Sequence, residues 1–269
     1  MPRVSTLSIR KMKGVAKVVC TTAYDAAFTQ LADAAGVDLI IVGDSLGNTM
    51  LGFSSTIPVT VDMMAHHVAA VARARPNALV VADVPFGETA RSFERLLDSC
   101  IRFVQQSGAD AVKIEGGVEL ADTILRLTRS GIPVMGHIGL LPQRVNQIGG
   151  YRRFGKTPEE VAALIADAQA VEKAGAFAIV AEMIAHDAAR EVSASVGVPV
   201  ISIGSGPDCD GCVLVSTDIL GLTPGAMPSF AKKYADLGTA AREAFAAYAA
   251  EVRSGAFPEK KKTQANESK

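Results

Sequence analysis

Short β-branched apolar runs alternate along this chain with longer Ala-rich stretches of helical period. The runs are KVVCTT (17–22), DLIIVG (38–43), ALVVAD (78–83), DAVKIE (110–115), IPVMGH (132–137), FAIVAE (177–182), VPVISI (198–203) and CVLVST (212–217). They predict eight strands. Helical patterning lies between them, over 62–74, 89–107, 119–130 and 158–174. The last of these carries its own start signal: Thr157 as N-cap, Pro158 at the first helical position and Glu160 completing a capping box.

Strands that are apolar on both faces, separated by helices, predict a parallel sheet covered by helices. Eight of them favour closure into a (β/α)8 TIM barrel. The open doubly wound alternative lacks a G-x-G-x-x-G after the first strand. The whole of 1–258 reads as a single barrel domain with an N-terminal extension. Two segments break the alternation. Residues 138–157 form a Gly-rich loop long enough to be a lid or binding loop. Residues 230–256 have the period of a closing helix, and the charged tail 259–269 reads as disordered.

Composition narrows the setting. Half the 269 residues are apolar, a fifth are charged, and the net charge is −1 with no basic stripe. Nucleic acid and anionic membranes are therefore poor partners, whereas small molecules suit such a chain. No apolar run reaches the roughly 20 residues needed to span a bilayer. The N-terminus has no apolar core that would make it a secretory signal. Four cysteines do not make a disulfide framework, so the expected compartment is the reducing cytoplasm.

The candidate chemistry sits at the strand ends. Parallel barrels carry their active sites at the C-terminal ends of the strands. Asp44 and Ser45 follow strand two, Asp83 ends strand three, Lys113 and Glu115 belong to strand four, His137 ends strand five and Glu182 ends strand six. A single Asp there could cap a helix. Seven ionisable or hydroxyl groups at corresponding positions point to a site. Lys113 and Glu115, two apart, share the interior face. Four carboxylates cannot all ionise together in a low-dielectric cleft without a cation or protons. Asp44, Asp83 and Glu115 are hard oxygen donors from adjacent strands, which suits Mg2+ better than Zn2+. Ser45 retains two readings, as a cap and as a hydrogen-bond partner of a substrate.

The same residues carry a resemblance. TAYD (22–25), VGDSLGN (42–48), ADVPFG (82–87), VKIEGG (112–117), GHIGLLPQ (136–143) and DILGL (218–222) occur in order. From about residue 4 to 258 the chain resembles the ketopantoate hydroxymethyltransferase family. The resemblance implies a barrel of the phosphoenolpyruvate/pyruvate type. It implies transfer of a one-carbon unit from 5,10-methylenetetrahydrofolate to 3-methyl-2-oxobutanoate through a Mg2+-stabilised enolate, giving 2-dehydropantoate for pantothenate and hence coenzyme A. It places Mg2+ on Asp44, Asp83 and Glu115, the oxo acid against Asp44, Ser45, Asp83 and Lys113, and the proton acceptor at Glu182. It also implies a cytoplasmic homo-oligomer, often a decamer.

His137 could bond substrate or folate, or serve structure alone. Ser205, Cys212 and Thr217 depart from the family pattern, which bears on folate contacts and the subunit interface. A Mg2+-dependent C–C lyase of the same superfamily is the competing enzyme reading, but no cysteine here follows a lysine, as the lyase motif requires. A barrel that only binds a metal or partner is the third. CDGC (209–212) lacks the further ligands of a zinc site, and the adjacent His66 and His67 face different ways on a helix.

Overall fold

Eight parallel strands close into a barrel in chain order in the computed structural model, which describes residues 3–223 and 225–259. They are β1 (Val18–Thr22), β2 (Leu39–Val42), β3 (Leu79–Asp83), β4 (Ala111–Glu115), β5 (Val134–Gly139), β6 (Ala178–Glu182), β7 (Val200–Ile203) and β8 (Gly211–Leu214). The helices are α1 (Thr6–Arg10), α2 (Ala26–Ala34), α3 (Leu46–Thr49), α4 (Val61–Arg73), α5 (Phe93–Ile101), α6 (Ala121–Arg129), α7 (Val145–Ile148), α8 (Pro158–Lys173), α9 (His186–Ala194), α10 (Ser216–Leu220) and α11 (Leu237–Ser254).

The two-residue period of each strand separates two cores. Leu39, Ile41, Leu79, Val81, Ala111, Met135, Ala178 and Val180 point inward and fill the barrel. Ile40, Val42, Val80, Val112, Ile114, Val134 and Ile179 point outward, against helix residues such as Val68, Leu127 and Val171. Ile9 of α1 is fully buried in the inner cluster with Phe177, and plugs the end away from the strand C-termini. Continuing the inward register in steps of two gives Asp83, Lys113 and then Glu115, His137 and Glu182. The period that fills the barrel therefore also aims its polar residues.

Closure rests on β1 pairing with β8, where Val18 stands opposite Gly211. A Cβ added to Gly211 would lie 2.4 Å from the Val18 carbonyl oxygen, which is backbone and cannot swing away. Gly211→Ala should therefore cost about 1–3 kcal/mol by overpacking the seam, read as a lower urea midpoint with unchanged slope.

Several elements differ from the sequence reading. The stretch 89–107 is not one helix: a 3-10 turn at Glu88–Ala90 gives way to α5, which Ser92 caps through its hydroxyl, and Arg102–Gln106 continues as a π-helical turn. The expected strand 212–217 runs instead over 211–214. Ser216 already opens α10, its N–H donating to Thr22 Oγ1 at 3.0 Å. β7 and β8 are joined through 204–210 without a helix. At α8, Thr157 accepts from the Glu160 N–H as expected, but the Glu160 carboxylate accepts from Lys156 N rather than from the cap residue.

The expected closing helix 230–256 begins at Leu237 and closes nothing: no residue of α11 is buried, and Phe245 is 74% exposed. Its periodicity marked an apolar face, and periodicity does not say what that face packs against. The tail reading falls, from residue 260 on, outside the described residues.

Candidate active site

All seven residues singled out in the sequence line one cavity of about 620 Å³ at the C-terminal ends of the strands. Asp44, Asp83, Lys113, Glu115 and His137 are 2–6% exposed, while the Glu182 side chain, 14% exposed, stands at the cavity wall. Neither Asp44 nor Ser45 caps α3. The Ser45 hydroxyl lies 2.9 Å from Tyr24 Oη, which removes the capping alternative and leaves Ser45 fixed at the cavity edge.

Lys113 is central. Its Nζ sits 2.8 Å from Asp83 Oδ1 and 3.2 Å from His137 Nδ1. Burial opposes the charge on Lys113, but Asp83, Glu115 and Asp44 together hold its pKa above the ordinary lysine value. A charged ammonium can only donate, so Nδ1 of His137 is the acceptor and the neutral ring carries its proton on Nε2. Burial and then the Lys113 charge push the His137 pKa well below its usual value, which agrees with a neutral imidazole. Its Nε2 faces Glu182 Oε2 at 3.3 Å without good hydrogen-bond alignment.

The carboxylates are not equivalent. Burial, reinforced by the charge of Asp83, raises Asp44 to about 7. Glu115 is pushed up by burial more than Lys113 pulls it down. Burial raises Glu182 to about 7, opposed by Lys113. Unfolded Asp and Glu titrate near about 4. The folded chain therefore holds more protons than the unfolded chain between about pH 4 and 7. Without a divalent cation its unfolding free energy should fall as pH rises through that window. Urea titrations at pH 5 and pH 7.5 check this, and added Mg2+ should flatten the difference.

Gln143 escaped the sequence reading, although it ends the stretch GHIGLLPQ. Its side-chain amide donates to Asp44 Oδ2 at 2.9 Å and to the Val84 carbonyl at 2.9 Å, and its backbone N–H donates to Glu115 Oε2 at 3.1 Å. It thus ties the β5 loop to two of the carboxylates. Tyr24, in TAYD, was also missed, and an uncharged residue in a loop offers no signal beyond such a motif.

Of the departures from the family pattern, Ser205 is a buried pin beside Glu182: its Oγ donates to the Ala181 carbonyl at 2.8 Å and accepts from Ile184 N–H at 2.9 Å. Cys212 is exposed on β8 and Thr217 is buried in α10. His67 Nδ1 lies 2.7 Å from the Tyr24 carbonyl, whereas His66 is exposed, so the pair is split as expected.

Among the described residues, no three His, Cys, Asp or Glu side chains are gathered tightly enough to hold an ion as they stand. Lys113 lies against Asp83, and Gln143 against Asp44. Asp83 Oδ1, although 2.8 Å from the ammonium, has no aligned hydrogen-bond donor.

A closed parallel barrel whose open end gathers buried carboxylates of raised pKa around a lysine has the layout of a (β/α)8 barrel enzyme. Among solved structures, the chain is similar to 2,3-dimethylmalate lyase, a member of the PEP mutase/isocitrate lyase superfamily (TM-score 0.59, 20% identity, 98% of this chain and 93% of that one). It is also similar to phosphonopyruvate hydrolase in complex with oxalate and Mg2+ (TM-score 0.61, 15% identity, 94% and 88%). At these identities the likeness shows the fold.

Residues 3–260 match the family model described as ketopantoate hydroxymethyltransferase. The 3-methyl-2-oxobutanoate hydroxymethyltransferase of Staphylothermus marinus is 52% identical over 97% of this chain and 96% of its own length. The chain belongs to the ketopantoate hydroxymethyltransferase family, and its reaction class is hydroxymethyl transfer. No helix among the described residues is long and apolar enough to cross a membrane.

Proposed function

We propose that this chain moves the one-carbon unit of 5,10-methylenetetrahydrofolate onto C3 of 3-methyl-2-oxobutanoate, giving 2-dehydropantoate and tetrahydrofolate for pantothenate synthesis. The observation that carries this reading is Glu182: a carboxyl raised to about 7 in the same cavity as a cationic lysine and four further buried carboxylates. A C3 proton is only weakly acidic, and a base poised near neutrality is suited to remove it.

Asp44, Asp83 and Glu115 have the oxygen chemistry of a hard divalent cation's ligands, and would hold one after drawing in from their contacts with Lys113 and Gln143. They come from adjacent strand ends, two of them are pushed up by burial, and Asp83 keeps a buried oxygen without a hydrogen-bond donor. Mg2+ held there would supply Lewis-acid stabilisation where the 2-oxo oxygen gains charge.

The other roles belong to side chains. The Lys113 ammonium meets the substrate carboxylate. Ser45, oriented by Tyr24, donates to the oxo acid at the edge of the site. Glu182 takes the C3 proton, and the neutral His137 ring, its Nε2 3.3 Å from Glu182 Oε2, stands beside it without supplying a charge that would neutralise it. The competing lyase reading needs a reactive thiol, and none of the four cysteines lines the cavity. We place the enzyme in the cytoplasm, as one barrel domain that assembles into a homo-oligomer, a decamer on the family pattern; its four free thiols support a reducing compartment.

The test is direct. Protein, 3-methyl-2-oxobutanoate and Mg2+ in D2O should deuterate C3, and added 5,10-methylenetetrahydrofolate should convert the acid to 2-dehydropantoate. A protein that does neither has a different function.

A further inference from the structure

The cavity has two unlike halves, and the proposed chemistry uses one. Its floor is the set of buried charges around Lys113, where a five-carbon oxo acid would sit. The remainder of its roughly 620 Å³ opens beneath an apolar wall. Phe230, from the chain after α10, and Met183, next to Glu182, both line that wall. Gly204 lets them come together: a Cβ there would lie 2.8 Å from the Phe230 ring and 2.9 Å from Met183 Sδ.

Met183 also has φ +50, a left-handed conformation unusual for a residue with a side chain. Its N–H donates to the Ile203 carbonyl at 2.9 Å, and its own carbonyl accepts from Phe154 N–H at 2.8 Å. Backbone strain held by bonds on both sides marks a side chain whose direction matters. The flat wall thus begins one residue beyond the proposed base.

A carboxylate that the proton-transfer chemistry does not use stands in the same half. Asp218 lines the cavity, is 5% exposed, and pairs with no Lys, Arg or His among the described residues. The Thr223 hydroxyl lies 2.5 Å from its Oδ1 and 2.9 Å from Thr217 Oγ1. The carboxylate can only accept, so Thr223 gives its single proton to Asp218, and Thr217 in turn donates to Thr223. The Thr223 hydroxyl, itself bonded to Thr217, therefore holds one oxygen of the Asp218 carboxylate in place.

Resting on the transfer reading above, we propose that this half of the cavity binds the pterin ring of the one-carbon donor. The ring lies against Phe230 and Met183, and its 2-amino-4-oxo edge meets Asp218. A fused heteroaromatic supplies the flat apolar face that such a wall takes up. Two adjacent N–H donors on one edge match the two oxygens of a fixed carboxylate. The ring would then rest beside the carbon that Glu182 deprotonates, which is where the one-carbon unit has to arrive.

The test is equilibrium binding of tetrahydrofolate and of its 2-desamino-2-methyl analogue to the full chain, to Asp218→Asn and to Phe230→Ala, with C3 deuteration followed in parallel. The unaltered chain should prefer tetrahydrofolate by about tenfold or more, since a site built around a donor pair rejects a ligand lacking it. Asp218→Asn should bring that preference close to one. Phe230→Ala should weaken both ligands alike and keep the preference.

Equal binding of the two ligands by the unaltered chain, or an unchanged preference in Asp218→Asn, overturns the proposal. C3 deuteration judges the transfer reading separately: its absence alongside an intact tetrahydrofolate preference removes that reading and leaves the pterin site standing.

Discussion

Glu182→Gln should lower the rate of C3 deuteration of 3-methyl-2-oxobutanoate by about 100- to 10,000-fold, the range that general-base catalysis contributes. The amide keeps the size of the side chain but has no basic lone pair, so substrate affinity should stay within a few-fold. The pH profile sharpens the expectation. Burial raises the Glu182 carboxyl to about 7, so the side chain is protonated and idle well below that pH and competent above it. Exchange should climb with pH, level off above about pH 7, and lose this dependence in the Gln variant. An unaltered profile in Glu182→Gln would move the base to another residue.

Lys113→Met should have the largest effect on stability. Lys113 is the one Lys or Arg lining the cavity among the described residues, and its ammonium lies 2.8 Å from Asp83 Oδ1. Removing one partner of a buried ion pair costs about 3–5 kcal/mol because the other charge is stranded. The sign with pH follows from the neighbours. Asp44 and Glu182, both raised to about 7, go higher still without the lysine. At pH 5 they hold protons with or without the lysine and the loss is modest; at pH 8 the variant must either ionise them together or keep protons that the unfolded chain releases, and the loss is larger. Urea unfolding at the two pH values measures the difference. A loss equal at both pH values would show that Lys113 is held by packing rather than charge.

The barrel and most of the candidate site's lining were legible in the sequence because one period encodes both. The residues that alternate into the barrel interior, such as Val81 then Asp83, or Val180 then Glu182, change from apolar to ionisable at the strand end. Lys113 in an apolar strand stood out because a buried lysine needs a partner. Features fixed by contacts between distant segments stayed hidden. Gln143 matters through two bonds reaching Asp44 and Val84, and nothing in its local sequence marks that reach. Asp218 sits inside α10, where a carboxylate reads as ordinary helix polarity until the cavity shows what it borders. The left-handed Met183 has no composition signal either. Strand eight was drawn three residues too far because Val-Ser-Thr suits a strand, while the Ser216 bond to Thr22 turns the chain into a helix.

Ile9 of α1 fills one end of the barrel, and the cavity opens at the other. Two reactants of very different size must share it. On the proposed reading the oxo acid takes the bottom, among the charges, and the pterin lies above it against Phe230. A guest seated higher blocks the passage of one seated lower. If the proposed arrangement holds, traffic through this enzyme would be sequential: the small acid would board first, the folate would close the door behind it, and spent tetrahydrofolate would depart before the lengthened acid could leave.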